Sequence, residues 1–427
     1  MPVNARALNV IRDTQIEKIL ESWTAPLLEE AGLSSDQVRL VLVNSDQINA
    51  FVAGGANIFI YAGLIEKAEY PEEVKGVIAH EIGHITGGHL IASRKAVGRA
   101  SFQSILATAV GIGAAILTGD GRAAAAISAG GSGVAATGYL SHSRIQESAA
   151  DQAGYKYLEA AKENPQGIVS FLEKLEGQEL LPASQQSEYM RTHPLTRDRV
   201  DTMRIKANKS PLSKSLGTSP SQKDFNLMKA KLMAFRAPGD VTRYYDLNTK
   251  QNDAVFAHAI MHYRQNRYDK ALDLSDILIK KNPNNPYFYE MKAQILRDSG
   301  QLAESEVYYR RALKLLGQAP LVQVSLAHVM IEQQKTNPEI ETLLNAAIQG
   351  DRRETSAYRL MATYKGRQGY EADAQYYLAE EATAEKRKSD AKKLVSLALN
   401  SKKLSKNLKI KANDLKTYLD RLPVKDN

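Results

Sequence analysis

In the second half of this chain, small residues recur at a fixed interval. Ala259, Ala293 and Ala327 are 34 residues apart, and Ala362 follows 35 further on. Around them lie Tyr268-Asp269-Lys270-Ala271 with Asn282-Pro283, Gly300-Gln301-Leu302-Ala303 with Ala312, and Gly369-Tyr370-Glu371-Ala372. A small residue where two helices cross, then a Gly-centred turn and a closing Pro, is the signature of tetratricopeptide repeats. Each helix pair is left with an unburied apolar face, and stacking the pairs joins those faces into one core. An arbitrary helical bundle would have no reason to keep the period. The first and fourth units depart most from it, as end repeats do.

The best boundary in the chain is the Ser/Pro/Lys-rich stretch 211–223, PLSKSLGTSPSQK. It predicts a domain over 1–210, repeats over 224–390 and a tail over 391–427. The tail places Leu404, Leu408, Leu415 and Leu419 on one helical face among lysines. Three uses fit such a basic amphipathic helix: a cap on the last repeat, a peripheral contact with a membrane surface, or nucleic-acid binding. No nucleic-acid motif accompanies the lysines, so that partner is the least expected of the three.

Charge divides the same way. Residues 1–200 carry 17 basic and 22 acidic side chains, and residues 201–427 carry 39 and 26, so the net +8 is −5 in front and +13 behind. The surplus therefore does not describe the surface of the first half. At 24% charged and 43% hydrophobic residues, a mostly disordered chain is excluded. The absence of cysteine excludes disulfide scaffolds, thiolate metal sites and cysteine nucleophiles together. The N-terminus, Met1-Pro2-Val3-Asn4, has no signal-peptide pattern, which fits a protein that stays inside or a mature form whose leader is gone.

The first half reads as a helix over 15–32, short strands at Val38–Val43, Ile48–Val52 and Asn57–Tyr61 with Gly54-Gly55 as a turn, and a helix opened by Pro71 and stopped at Gly87-Gly88. Ala100–Gly119 and Ala123–Ser143 are two charge-free stretches rich in Ala, Gly and Ser. Their length could span a bilayer, but their composition favours a soluble or interfacial helical hairpin.

The Pro71 helix carries His80-Glu81-Ile82-Gly83-His84. Side chains four apart share a helix face, so both imidazoles can reach one metal, and Glu81 stands one step round, beside a water held there. Zinc suits nitrogen ligands of this kind and makes such a water acidic; Glu81 is placed to take its proton and pass it to a leaving amine. A third protein ligand is needed. Glu147, in the helical string Glu147-Ser148-Ala149-Ala150-Asp151, can supply it, and Asp151 one turn later can accept a hydrogen bond from a ligating imidazole. His89 and His142 are read as structural. His258 and His262 form an i, i+4 pair without a third ligand and are read as packing between repeats. Gly130-Gly131-Ser132-Gly133 lacks the Lys-Ser/Thr of a phosphate loop.

Together with Asn49-Ala50-Phe51, Gly54–Tyr61, Gly63-Leu64 and Ser143–Asp151, the Ala79–His84 string resembles the CAAX-prenyl-protease/HtpX family of zinc metallopeptidases. The repeats behind it make the chain similar to the periplasmic, BepA-like branch of that family. The resemblance covers residues 8–200 by motif and the remainder by architecture. It implies an α+β zincin-type metalloprotease domain followed by an all-α tetratricopeptide-repeat solenoid. It implies one Zn2+ on His80, His84 and Glu147, with Glu81 as catalytic base and Asp151 behind the ligands. It also implies that Asn57, Ile58, Phe59, Ile60 and Tyr61 form an edge strand that pairs with an extended substrate, in keeping with β-augmentation. Thr192–Arg199 matches a further stretch, in which His193 either caps the metal at rest or stabilises the oxyanion in turnover; read without the resemblance, it is a loop histidine beside a proline.

The function so implied is a zinc endopeptidase in the Gram-negative periplasm, acting on misfolded or stalled outer-membrane proteins and docked on the outer-membrane assembly machinery by its repeats. The alternative is a chaperone-like adaptor of that assembly whose proteolysis is occasional or held off by His193. A third reading, an integral membrane protease, rests on the 100–143 hairpin alone.

Overall fold

The computed structural model describes residues 9–89, 144–182 and 185–422. The chain forms two compact units that divide after Arg236.

The first unit opens with β1 (Val10–Ile11) and α1 (Thr14–Glu30), whose first turn is capped by Asp13 accepting from the Ile16 N–H. Next come β2 (Arg39–Val43), β3 (Ala50–Ala53), β4 (Asn57–Tyr61) and α2 (Ala62–Lys67). The sheet order is β1-β2-β4-β3: β2 runs parallel to β4, and β3 is antiparallel to it with Phe51 opposite Phe59. This corrects the expectation for Asn57–Tyr61. That strand is internal, because the Gly54-Gly55 turn folds β3 onto one side of it while β2 holds the other. Among the described residues the edge strands are β1 and β3, and β3 is the one beside it. The Tyr61 N–H donates to Asn49 O. In an antiparallel ladder that parity leaves the peptide groups of Ala50 and Val52 facing away from β4.

Against the sheet lies α3 (Pro71–Thr86), buried from Pro71 through His84. Its proline sits at the first turn, where a missing N–H breaks no helical bond, and Glu72 and Glu73 meet the positive end of the dipole. α4 (Arg144–Ala160) crosses α3 at glycines on both helices. A Cβ on Gly83 would lie 2.6 Å from Ala150 O, and one on Gly154 would lie 3.0 Å from the backbone of Ala79 and His80. Backbones approach that closely only where side chains are absent. α5 (Gln166–Leu175), α6 (Glu188–Thr192) and α7 (Arg197–Lys209) complete the shell.

α8 (Ser221–Arg236) also belongs to this unit. The Ser/Pro/Lys composition places the boundary at 211–223, but α8 beyond it contributes Phe225, Met228 and Leu232 to the core that holds Trp23. Lys231 Nζ pairs with Asp13 at 2.6 Å, and Arg236 Nε donates to Asn44 Oδ1 at 2.8 Å.

The second unit is built of helix pairs: α9 (Asn252–Arg264) with α10 (Tyr268–Lys281), α11 (Pro286–Asp298) with α12 (Leu302–Leu316), α13 (Pro320–Glu332) with α14 (Glu339–Gly350), and α15 (Thr355–Arg367) with α16 (Glu371–Ala384). Ala259, Ala293, Ala327 and Ala362 are all buried. A further pair, α17 (Lys388–Asn400) and α18 (Lys406–Arg421), keeps the same spacing in the stretch read as a tail. Leu404, Leu408, Leu415 and Leu419 are buried in the core shared with the repeats, so the cap accounts for the apolar face of this basic segment. No helix among the described residues is long and apolar enough to cross a membrane. The 100–143 hairpin lies outside the described residues.

Candidate metal centre and active site

The α3–α4 crossing brings the sequence-predicted residues together. His80 and His84 share the inner face of α3, and Glu147 reaches them from the first turn of α4. His80 Nε2 and His84 Nε2 are 3.0 Å apart. Glu147 Oε2 stands 3.4 Å from His80 Nε2, and its Oε1 stands 3.3 Å from His84 Nε2. His193, which follows α6, joins them with Nδ1 at 3.3 Å from Glu147 Oε1. All four residues are buried, and one ligand atom from each lies within 4.8 Å of the others.

These separations fit a metal. Ligands about 2.0–2.1 Å from a tetrahedral centre stand about 3.3–3.4 Å from one another. The donor set fits as well, because each imidazole has an acceptor for the proton on its far nitrogen. His80 Nδ1 faces Asp151 Oδ1 at 2.9 Å, His84 Nδ1 faces His89 Nδ1 at 2.9 Å, and His193 Nε2 faces Ala50 O at 3.1 Å. With those protons outward, three nitrogen lone pairs and a carboxylate converge on one point. Such a group calls for positive charge. Burial by itself would push His80 down, yet its hydrogen bonds to Asp151 and Glu147 carry it up to about 10. Burial likewise opposes ionisation of Glu147, but the neighbouring histidines, His193 foremost, hold its carboxyl well below the usual range.

Glu81 is fully buried beside this cluster, and neither of its carboxylate oxygens has a hydrogen-bond partner. His193 Nε2 is 3.5 Å from Oε1. Burial raises the Glu81 carboxyl above its ordinary value, against the pull of His193 and His80; the Val52 N–H also draws it down from an approach too poor for a regular bond. The outward peptide groups of β3 thus face the centre, Ala50 O toward His193 and the Val52 N–H toward Glu81. Of the expected substrate residues, Asn57–Tyr61 are one strand removed from it.

Two residues of the site were missed in the sequence. Arg199, in the first turn of α7, pairs with Asp151 through Nε at 2.7 Å and Nη2 at 3.0 Å, with Glu147 through Nη1 at 3.0 Å, and donates to Pro194 O at 2.7 Å. It ties α4 to the His193 loop. The matching stretch Thr192–Arg199 ends on it, but no spacing there gives it a role or separates it from Arg197. His89, read as structural, is the partner of His84; its spacing of five after His84 was the available signal.

Residues 11–207 match peptidase family M48. The chain is 27% identical over 365 residues to the beta-barrel assembly-enhancing protease of Escherichia coli (strain K12), covering 83% of this chain and 72% of that protein. It is 26% identical over 351 residues to the protein of the same name from Yersinia pestis, covering 78% and 69%. A shorter match, 34% over 79 residues, is to protease HtpX of Chromohalobacter salexigens, covering 18% and 25%. Over 11–207, with its buried histidine and carboxylate cluster, this chain carries a peptidase family M48 domain and is a metalloprotease.

Proposed function

We propose that the metal is zinc, that His80, His84 and Glu147 hold it with Asp151 behind His80, and that the chain is an endopeptidase for polypeptides bound along β3. The observation that carries this reading is the convergence of two Nε2 atoms and one carboxylate at 3.0–3.4 Å beside a buried glutamate whose oxygens make no regular hydrogen bond. Bound there, a zinc ion supplies Lewis acidity toward a peptide carbonyl and toward water. Glu81 takes a proton from the attacking water on a carboxylate oxygen and returns it to the leaving nitrogen. An extended substrate adds to the outer edge of β3, exchanging main-chain hydrogen bonds with Ala50 and Val52. His193 sits where that strand and the fourth ligand would both go, which supports a resting cap that swings out on binding.

The relatives' name and their hosts support a place in the Gram-negative periplasm, with misfolded or stalled outer-membrane β-barrels as substrates. The second unit would dock the assembly machinery or the client, as stacked helix pairs present an extended concave face. The test is cleavage of an unfolded outer-membrane β-barrel by the full chain. Glu81→Gln is expected to lower the rate by about 10²–10⁴-fold, and His193→Ala to raise it. Undiminished cleavage by Glu81→Gln refutes the mechanism; unchanged or slower cleavage by His193→Ala refutes the cap. If Glu81→Gln instead kept full function in cells, the chaperone-like adaptor would be the better reading.

A further inference from the structure

The two histidines of the HExxH helix are held by chemically different partners. His80 donates from Nδ1 to Asp151, a carboxylate that Arg199 grips from its other side. His84 meets an imidazole instead. Its Nδ1 lies 2.9 Å from Nδ1 of His89, with the ring centroids 5.0 Å apart and the planes at 74°. His89 is 8% exposed, although it lies five residues past His84 and beyond the end of α3.

The end of the helix is shaped to return that ring to the site. The Gly87 N–H donates to Gly83 O at 2.9 Å and closes the last turn; the Gly88 N–H then donates to Ile85 O at 3.1 Å. Gly88 adopts φ +62°, the left-handed conformation that reverses the chain after a helix. Gly87 leaves space for the returning ring: a Cβ there would lie 2.5 Å from His89 Nε2 and 2.7 Å from its Cε1. The pair Gly87-Gly88 is therefore more than a stop signal. One glycine makes the turn, and the other leaves room for the imidazole that the turn delivers.

The direction of the His84–His89 hydrogen bond follows from the site. His84 Nε2 faces His80 Nε2 and Glu147. A neutral imidazole that turns the lone pair of one nitrogen to a metal carries its proton on the other. The His84 proton is then on Nδ1, and the atom facing it is Nδ1 of His89. His89 must offer a lone pair there and keep its own proton on Nε2, beside Gly87.

We propose that His89 is a positioning residue of the metal centre, accepting the His84 Nδ1 proton on its own Nδ1 and so holding His84 Nε2 toward the other ligands. It supplies orientation without a second negative charge, whereas Asp151 supplies both to His80. This rests on the reading of His84 as a ligand. Partners of this kind are worth about 10–100-fold in metal affinity.

The test is a titration of the metal-stripped full chain with Zn2+ in competition with a chromophoric chelator, alongside thermal unfolding of the metal-free protein. His89→Leu fills the space but accepts no proton; it is expected to raise the Zn2+ dissociation constant by about 10–100-fold. His89→Asn can set Oδ1 where Nδ1 stands, and is expected to stay within about threefold of wild type, well under that loss. The proposal is overturned if His89→Leu binds Zn2+ like wild type, or if His89→Asn loses as much as His89→Leu, since packing alone would then explain the residue. Lowered metal-free unfolding in both variants with equal loss of affinity overturns it too. A wild-type chain that binds no Zn2+ would instead sink the underlying metal reading, and the proposal with it.

Discussion

The two units are held together by opposite means. In the second, the helices of each pair cross at small apolar residues, Ala259, Ala293, Ala327 and Ala362, with no ion pair at those positions. In the first, the central crossing of α3 and α4 encloses two glutamates, an aspartate, three histidines and Arg199, all buried. Burying one unpaired charge costs several kcal/mol. The first crossing therefore depends on how these charges are matched, while the second unit's crossings depend on shape, with its ion pairs, such as Arg310 with Glu306 and Glu339, lying away from those alanines. That difference also decides where a metal ion or a substitution should be felt.

The largest expected effect is removal of the metal. A ligand present at about a thousand times its dissociation constant stabilises the folded state by about 4 kcal/mol. Chelation should therefore lower the unfolding temperature of the first unit and leave the second in place. Trp23, the single tryptophan, is buried in the core of the first unit and reports its unfolding by fluorescence; hydrogen exchange across α11 reports the second. Equal shifts in both signals would break the comparison.

Next is the cap. Leu419 is 1% exposed on α18, and truncating a buried leucine typically removes about 2–5 kcal/mol. Leu419→Ala should loosen α17 and α18 by about that amount without altering Zn2+ affinity. An unchanged melt would deny that the basic segment is part of the repeat core.

Smaller is the effect of adding carbon at a crossing, typically about 1–3 kcal/mol. Gly83→Ala places a methyl against Ala150 O, so it should weaken Zn2+ binding as well as stability, despite the better helix propensity of alanine. Ala293→Leu should destabilise the second unit by a similar amount and leave metal binding alone. If Ala293→Leu weakened Zn2+ binding as much as Gly83→Ala does, the two crossings would not differ in the way claimed.

The contrast also explains what could be read in the sequence. The repeats announce themselves because one small residue recurs at a fixed offset, seven places into each first helix. At that offset α17 carries Val395, buried like the alanines before it. The period therefore faded there, and the last helix pair looked like a tail. In the first unit, His80, Glu81 and His84 were legible because a metal requires their spacing on one helix. Glu147 and Asp151 were candidates for a third ligand and its support, and the family resemblance singled them out. Sheet order was not legible: nothing local in Asn57–Tyr61 says that β2, fourteen residues earlier, runs parallel to it and covers its free side. The same holds for α8, whose place in the first core is fixed by Trp23 and Asp13, about two hundred residues away in the chain. Arg199 is visible only in three dimensions, where its partners from α4 and the His193 loop meet. His89 was within reach, had the glycines before it been read as a turn that returns rather than one that ends.

The account stands most directly on the metal centre. Titration of the metal-stripped full chain with Zn2+ should give one tightly bound ion per chain for wild type. Glu147→Gln, which keeps the side chain's shape and removes its charge, should bind at least about tenfold more weakly, as loss of a ligand exceeds loss of a supporting partner. A wild-type chain that takes up no zinc, or a Glu147→Gln chain that binds it as tightly as wild type, would contradict the account.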